Sequence, residues 1–215
     1  MGILIGLIAL AVLILYRKQI ITTVTADIKM LRLEPKKWAW LKWKEWGEPF
    51  VVAIVLALII RTYLIGPYKI PTGSMETTLM IGDRIFVDKI TYRFREPKRG
   101  EVIVFKYPID RKKDFVKRLI AFGGEEVEIR DGSVYVNGEK LSDEVFASKY
   151  YYNRSDWDYG RENQIFRVPQ DTFFVLGDNS GHSSDSRNWG FVPKKDLIGR
   201  TVVVWWPINR MGIIE

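Results

Sequence analysis

The hydrophobic texture of the chain changes three times. It opens on "MGILIGLIALAVLILY", aliphatic almost without interruption from Ile3 to Tyr16. A polar and basic stretch follows. A second apolar run, "FVVAIVLALIIRTYLIG", covers Phe50 to Gly66. The first run approaches the lower limit of roughly 17 residues for a helix that crosses a bilayer. The second carries one charge, Arg61, near its end, where a long side chain can reach water. Beyond Pro67 the pattern shortens to β-branched and aromatic runs separated by turn signals: "RIFVDKI", "EVIVFKY", "DFVKRLIAF", "EVEIRDGSVYVNGEKL", "DTFFVLGD" and "RTVVVWWP". Asp131-Gly132 and Asn137-Gly138 are turn dipeptides, so "VEIRDGSVYVNG" predicts a hairpin. Residues 145–163 lack alternation and read as an irregular insertion.

The fold expected is mostly β, an antiparallel sheet domain carried on a helical membrane anchor. Its divisions are a first transmembrane segment at 1–16, a basic, Trp-rich cytoplasmic loop at 17–48 and a second transmembrane segment at 49–66. The extracytoplasmic β domain follows at 67–215, with a short insertion near 140–165. A cleaved leader carries positive charge before its apolar run. Here Arg17 and Lys18 come after it, which favours a retained, multi-pass anchor in the inner or plasma membrane with the β domain outside. A buried helix of a soluble protein is the alternative for the second run.

Composition narrows the chemistry. The chain has 215 residues, 47% hydrophobic and 13% aromatic, enough for a good-sized core. There is no cysteine and one histidine, His182, so disulfides, thiolate sites, a cysteine nucleophile and multi-histidine metal sites are excluded. No cofactor or obligate metal is expected. The net charge of +7 suits nucleic acid or an anionic membrane. Its distribution favours the lipid bilayer: "WAWLKWKEW" interleaves four tryptophans with lysines between two apolar segments, and no nucleic-acid-binding signature accompanies it.

One serine stands out. "IPTGSMETTLM" puts Ser74 between Gly73 and Met75 on a turn just past the second apolar run. A serine hydroxyl attacks only when a base takes its proton. In "DFVKRLIAF", strand alternation places Phe115, Lys117, Leu119 and Ala121 on one face and Val116, Arg118 and Ile120 on the other. Lys117 thus has apolar neighbours on its own face, and burial lowers a lysine pKa. A neutral Lys117 would serve as the base. An ordinary lysine reaching out of a half-exposed strand fits the same pattern, and alternation alone favours it, since many strands carry such a lysine. "GDNSGHSSDSRNWGFVP" is a polar loop in which Asp185 and Arg187 can pair. A Ser-His-Asp triad with His182 and Asp185 is disfavoured because the two would have to fold back on each other in a tight loop. The S-x-x-K and G-x-S-x-G motifs are absent.

Taken in order, these segments resemble bacterial type I signal peptidases. "PTGSMETTL" resembles the family's serine box, "RGEVIVF" its following strand, "DFVKRLIAFGGE" its lysine box and "GDNSGHSSDSRNWGFVP" its closing box. The resemblance implies Ser74 as nucleophile and Lys117 as general base. It implies an oxyanion hole from the Ser74 N–H and the Thr72 hydroxyl, Ser183 as the residue orienting Lys117, Asp185 and Arg187 as supports, and Met75 as a pocket wall. The implied partners are preprotein signal peptides. Thr77 and Gly123 stand where the family commonly has proline, and Glu101 and Glu125 where aspartate is frequent. A self-cleaving serine–lysine repressor-type protease and a non-catalytic membrane-tethered β module remain the rivals.

Overall fold

A computed structural model describes residues 21 and 23–214 of the chain. The first apolar segment, expected to be the first of two membrane crossings, lies outside the described residues. The chain divides into two compact units, one ending at Leu58 and one beginning at Ile59.

In the first unit residues 23–33 are helical, and a longer helix starts at Pro35, a residue whose missing N–H costs nothing in a first turn. That helix runs unbroken from Pro35 to Leu64. It therefore includes the Trp-rich stretch expected to be a loop. No breaker stands between Pro35 and Gly47, and Gly47 is absorbed because the Trp43 ring packs over the space a Cβ would take. By length and composition, Pro35–Leu64 is able to cross a membrane, and it is the one such helix among the described residues. It ends two residues short of the expected boundary, because Ile65 and Gly66 turn into the first strand.

The second unit is antiparallel throughout. Its larger sheet is built from β1 (Ile65–Lys69), β2 (Arg84–Asp88), β3 (Val102–Lys106), β4 (Asp114–Phe122), β9 (Thr172–Leu176), β10 (Val192–Pro193), β11 (Leu197–Trp206) and β12 (Gly212–Ile213). The order is β1-β2-β11-β3-β4-β9-β10, with β12 added beside β11. The smaller sheet has the order β7-β6-β5-β8, from β5 (Glu126–Arg130), β6 (Ser133–Val136), β7 (Glu139–Lys140) and β8 (Ile165–Arg167). Pro67 is tolerated in β1 because that strand lies at the sheet edge. The two predicted turns form as expected. Asp131 and Gly132 have φ of 51° and 71°, and Asn137 and Gly138 have 53° and 82°, the left-handed pairs that a two-residue hairpin requires.

β4 is the central strand for function. It sits between β3 and β9, with Ile103 opposite Lys117 and Val102 opposite Arg118. Every residue from Lys117 to Ala121 is buried, so both faces of β4 are covered. A register shift against β9 between Leu119 and Ala121 corrects the simple alternation. Ile120 and Ala121 both join the core of Val127, Ile129, Phe174 and Leu176, while Leu119 packs with Ile103, Phe105 and Val175. A third core holds Ile70, Met75, Leu79, Ile85, Val102 and Val104.

The turn after β4 explains Gly123. A Cβ at this position would lie 2.8 Å from the Pro169 carbonyl oxygen and 3.0 Å from the Asp171 nitrogen, both backbone atoms. No side chain fits there without moving the segment that leads into β9. Gly123→Ala is therefore expected to destabilise the chain by about 1–3 kcal/mol. Thermal unfolding in detergent checks this; an unchanged midpoint would show that the two backbones separate at little cost.

Candidate active site

Ser74 sits in a single 3-10 turn, Gly73–Met75, entered from Thr72 in extended conformation. The turn is anchored from beneath by its own apolar side chains. Met75 and Leu79 are buried in the third core, and the Met75 carbonyl accepts from Thr78 N and Leu79 N at 3.1 and 2.7 Å. It is also held from the closing loop. Asn179 N donates to the Ser74 carbonyl at 3.1 Å, and Asn179 Nδ2 donates to Gly73 O and Glu76 Oε2, each at 3.0 Å. Asn179 was not singled out from the sequence. Nothing in an Asn within a polar loop shows that it will meet a turn about a hundred residues earlier.

β4 delivers Lys117 to this turn. Lys117 Nζ and Ser74 Oγ share a hydrogen bond of 2.5 Å. The lysine is 4% exposed and makes no ion pair among the described residues. Burial pushes its pKa down from 10.5 to about 8, against a smaller upward pull from the carboxylates of Asp185 and Asp178 and with help from the Arg187 guanidinium.

Two buried ion pairs frame the contact. Arg187 donates to Asp185 through Nε at 2.9 Å and through a terminal nitrogen at 2.7 Å, and it also binds the carbonyls of Tyr152 and Ser180. Asp185 in turn accepts from Gly177 N at 3.0 Å. The pair expected from the sequence thus forms and ties both ends of the closing loop together. The second pair was missed. Arg118 grips Asp178 with two bonds of 2.8 and 2.7 Å, while Thr78 shares the same carboxylate. Its signal was present: an arginine between Val116 and Ile120 on the apolar face of a strand needs a buried partner.

Ser183 is close by but differently engaged. Its hydroxyl is buried without a hydrogen-bond partner among the described residues, so the expected bond to Lys117 is not formed. It packs against Gly177, where a Cβ would lie 2.1 Å from Ser183 Oγ and 2.5 Å from the Ser74 carbonyl oxygen. Only glycine fits there. Thr72 is exposed beside the turn, and Met75 is a buried core anchor. His182 is exposed, and the Asp185 carboxylate is occupied by Arg187 and Gly177. The structure therefore brings together no Ser-His-Asp triad.

A cleft of about 640 Å³ opens beside the serine turn. Glu76, Thr77 and Asn179 line one part of it, and Tyr150, Tyr152 and Trp157 another. The irregular insertion therefore supplies aromatic side chains next to the site. Thr77 has φ of 80°, a left-handed conformation that is costly for a β-branched residue and closed to proline.

A family model described as signal peptidase, peptidase S26, matches residues 43–206 of the chain. A Synechocystis protein called probable signal peptidase I-2 is 43% identical over 178 residues, covering 80% of this chain and 77% of that one. Signal peptidase I of Leptolyngbya laminosa is 41% identical over 169 residues, 75% of this chain and 78% of its own. Signal peptidase I T of Bacillus subtilis is 36% identical over 170 residues, 78% and 87% of the two chains.

The depressed Lys117 pKa has a consequence for stability. Below pH 8 the lysine is charged in both folded and unfolded chains, and the full burial penalty opposes folding. Between pH 8 and 10.5 the folded chain releases its proton first, and the penalty disappears. Lys117→Met, which has no ammonium to bury, is expected to gain stability relative to the parent below pH 8. That advantage should shrink by on the order of 3 kcal/mol as pH rises to 10.5. Denaturant unfolding of both chains across this range reads the difference; a constant gap would mean that Lys117 keeps an ordinary pKa.

Proposed function

The chain belongs to the signal peptidase family, peptidase S26, and from that membership we propose that it removes signal peptides from exported preproteins with a Ser74–Lys117 dyad, through an acyl-enzyme. The observation that carries the dyad is the 2.5 Å contact between Ser74 Oγ and a desolvated, unpaired Lys117 Nζ. With a pKa of about 8, roughly a tenth of Lys117 is neutral at pH 7, enough for a general base poised near its working pH.

In this reading, neutral Lys117 takes the proton from Ser74 Oγ as the oxygen attacks the scissile carbonyl carbon. The carbonyl electron pair moves to oxygen, and the oxyanion is received by the Ser74 N–H and the Thr72 hydroxyl; a donor of this kind is typically worth about 3 kcal/mol. The Lys117 ammonium then protonates the leaving amine as the C–N bond breaks. A water then loses its proton to Lys117 as it attacks the acyl carbon; the Lys117 ammonium returns that proton to Ser74 Oγ as the ester C–O bond breaks, and the signal peptide leaves with Ser74 restored. Ser183 is assigned the orienting of Lys117 in the substrate complex, where its unpartnered hydroxyl can turn to the amine. Asp185 and Arg187 hold the closing loop on the serine turn, and Met75 fixes that turn from beneath. The substrate binds extended, as an added strand.

Pro35–Leu64 is read as a span with its basic, Trp-rich start on the cytoplasmic side and the β unit outside. Confinement to one membrane plane then brings Ser74 near the end of an incoming signal peptide. The partners are preproteins and the bilayer, and nucleic acid has no role.

Ser74→Ala and Lys117→Met are each expected to lower cleavage of a synthetic signal-peptide substrate by about 10⁴-fold or more, while His182→Ala leaves it unchanged. In the parent, kcat/KM should rise with pH and level off above about 8, as Lys117 becomes neutral. Cleavage retained in the lysine variant would contradict the dyad.

A further inference from the structure

The last turn of the apolar helix does more than end it. Thr62 and Tyr63 form part of the wall of a cavity of about 290 Å³, whose lining also includes Lys89, Tyr92, Arg93 and Lys194. No carboxylate is among its lining residues. Lys89 is fixed to the helix end. Its backbone N–H donates to Leu64 O at 2.9 Å, and its Nζ donates to Arg61 O and Thr62 O at 3.3 and 3.2 Å. Those carbonyls are acceptors that a helix C-terminus leaves open, and a cation there also suits the negative end of the helix dipole.

Two further cations remain. The Arg93 guanidinium makes no ion pair or side-chain hydrogen bond among the described residues. Lys194 has one carboxylate neighbour, Glu96, at 3.9 Å with both side chains exposed, a contact that water screens. Arg93 and Lys194 come from separate short turns, Thr91–Arg93 between β2 and β3 and Lys194–Asp196 between β10 and β11. Next to Arg93 in the chain, Phe94 is 84% exposed, and Tyr63 is exposed on the helical wall. A tyrosine at the end of an apolar helix belongs to the headgroup region of a bilayer, and an exposed phenylalanine has no polar tip to hold it there.

We propose that this cavity binds the phosphate of an anionic glycerophospholipid in the outer leaflet, with Arg93 and Lys194 as its charge partners and Phe94 among the acyl chains. A planar guanidinium with free donors matches phosphate oxygens in a two-pronged contact. A free phosphate would meet the same cations. The helical wall decides for lipid, because Thr62 and Tyr63 end the span and set the cavity at the level of the headgroups. Bound there, one lipid would tie the β2–β3 and β10–β11 connections to the membrane surface. The proposal rests on reading Pro35–Leu64 as a span and is independent of the serine–lysine chemistry.

Native mass spectrometry of the full chain in detergent, titrated separately with phosphatidylglycerol, phosphatidylcholine and sn-glycerol 3-phosphate, tests it. Phosphatidylglycerol is expected to bind more tightly than the other two. The double variant Arg93→Gln/Lys194→Gln should weaken that binding by about fivefold per charge removed, with cleavage of a soluble peptide substrate retained as a check on folding. Lys140→Gln/Arg167→Gln, which removes equal charge from the smaller sheet, should leave binding at the parent level. Three results would each overturn the proposal: unchanged affinity in the Arg93/Lys194 variant, an equal loss in the control, or glycerol phosphate binding as tightly as the lipid.

Discussion

A lysine amine kept out of water within hydrogen-bond reach of a serine is the constraint on which the rest of this structure depends. An ammonium is costly to bury, and the site arranges for that cost to fall on the charged form while the neutral form is accommodated. Three features make this possible. β4 is a central strand covered on both faces, so Lys117 is nearly shut off from solvent. Gly177 has no Cβ, which lets the closing loop lie against the Ser74 carbonyl. Met75 and Leu79 root the serine turn in the core below. Each fixes one of the two partners, and the 2.5 Å contact is the outcome.

The charges around the lysine serve the same end. Two carboxylates lie near enough to raise its pKa, yet each is locked to an arginine: Asp185 to Arg187 and Asp178 to Arg118. Paired in this way, they attract a proton on Lys117 less than bare carboxylates would, and Arg187 directly opposes it. Buried ion pairs of this kind are weak evidence for stability. Here their geometric role is clearer, since Arg187 gathers Tyr152, Ser180 and Asp185, and Arg118 joins β4 to the closing loop through Asp178.

Much of this was legible in the sequence, and for physical reasons. Strand runs and Asx-Gly turns are local signals, and β2, β3, β4, β9 and β11 and both hairpin turns lie where such signals put them. Alternation nominated Lys117 but could not distinguish it from a solvent-reaching lysine, because burial on both faces depends on what packs above and below. The bulge at Leu119–Ala121 has no local signature, so Ala121 was placed on the wrong face. The Trp-rich segment was read only as the basic connection between two apolar segments, and its helical conformation from Pro35 onward has no local signal beyond the proline at its start. Gly123 and Thr77, which depart from the resemblance, acquire reasons only in three dimensions: one lies against backbone, and the other adopts a φ that proline lacks. Glu101 and Glu125 keep the carboxylate, with Arg95 and Arg99 as their partners.

The central claim is that Lys117 titrates as a desolvated amine. Its most direct test is an NMR titration of the full chain with labelled lysine side chains, the Lys117 signal being assigned by its loss in Lys117→Met. The account predicts a midpoint near 8. A Lys117 midpoint at or above 10.5 would contradict it, and the proposed mechanism would lose its base.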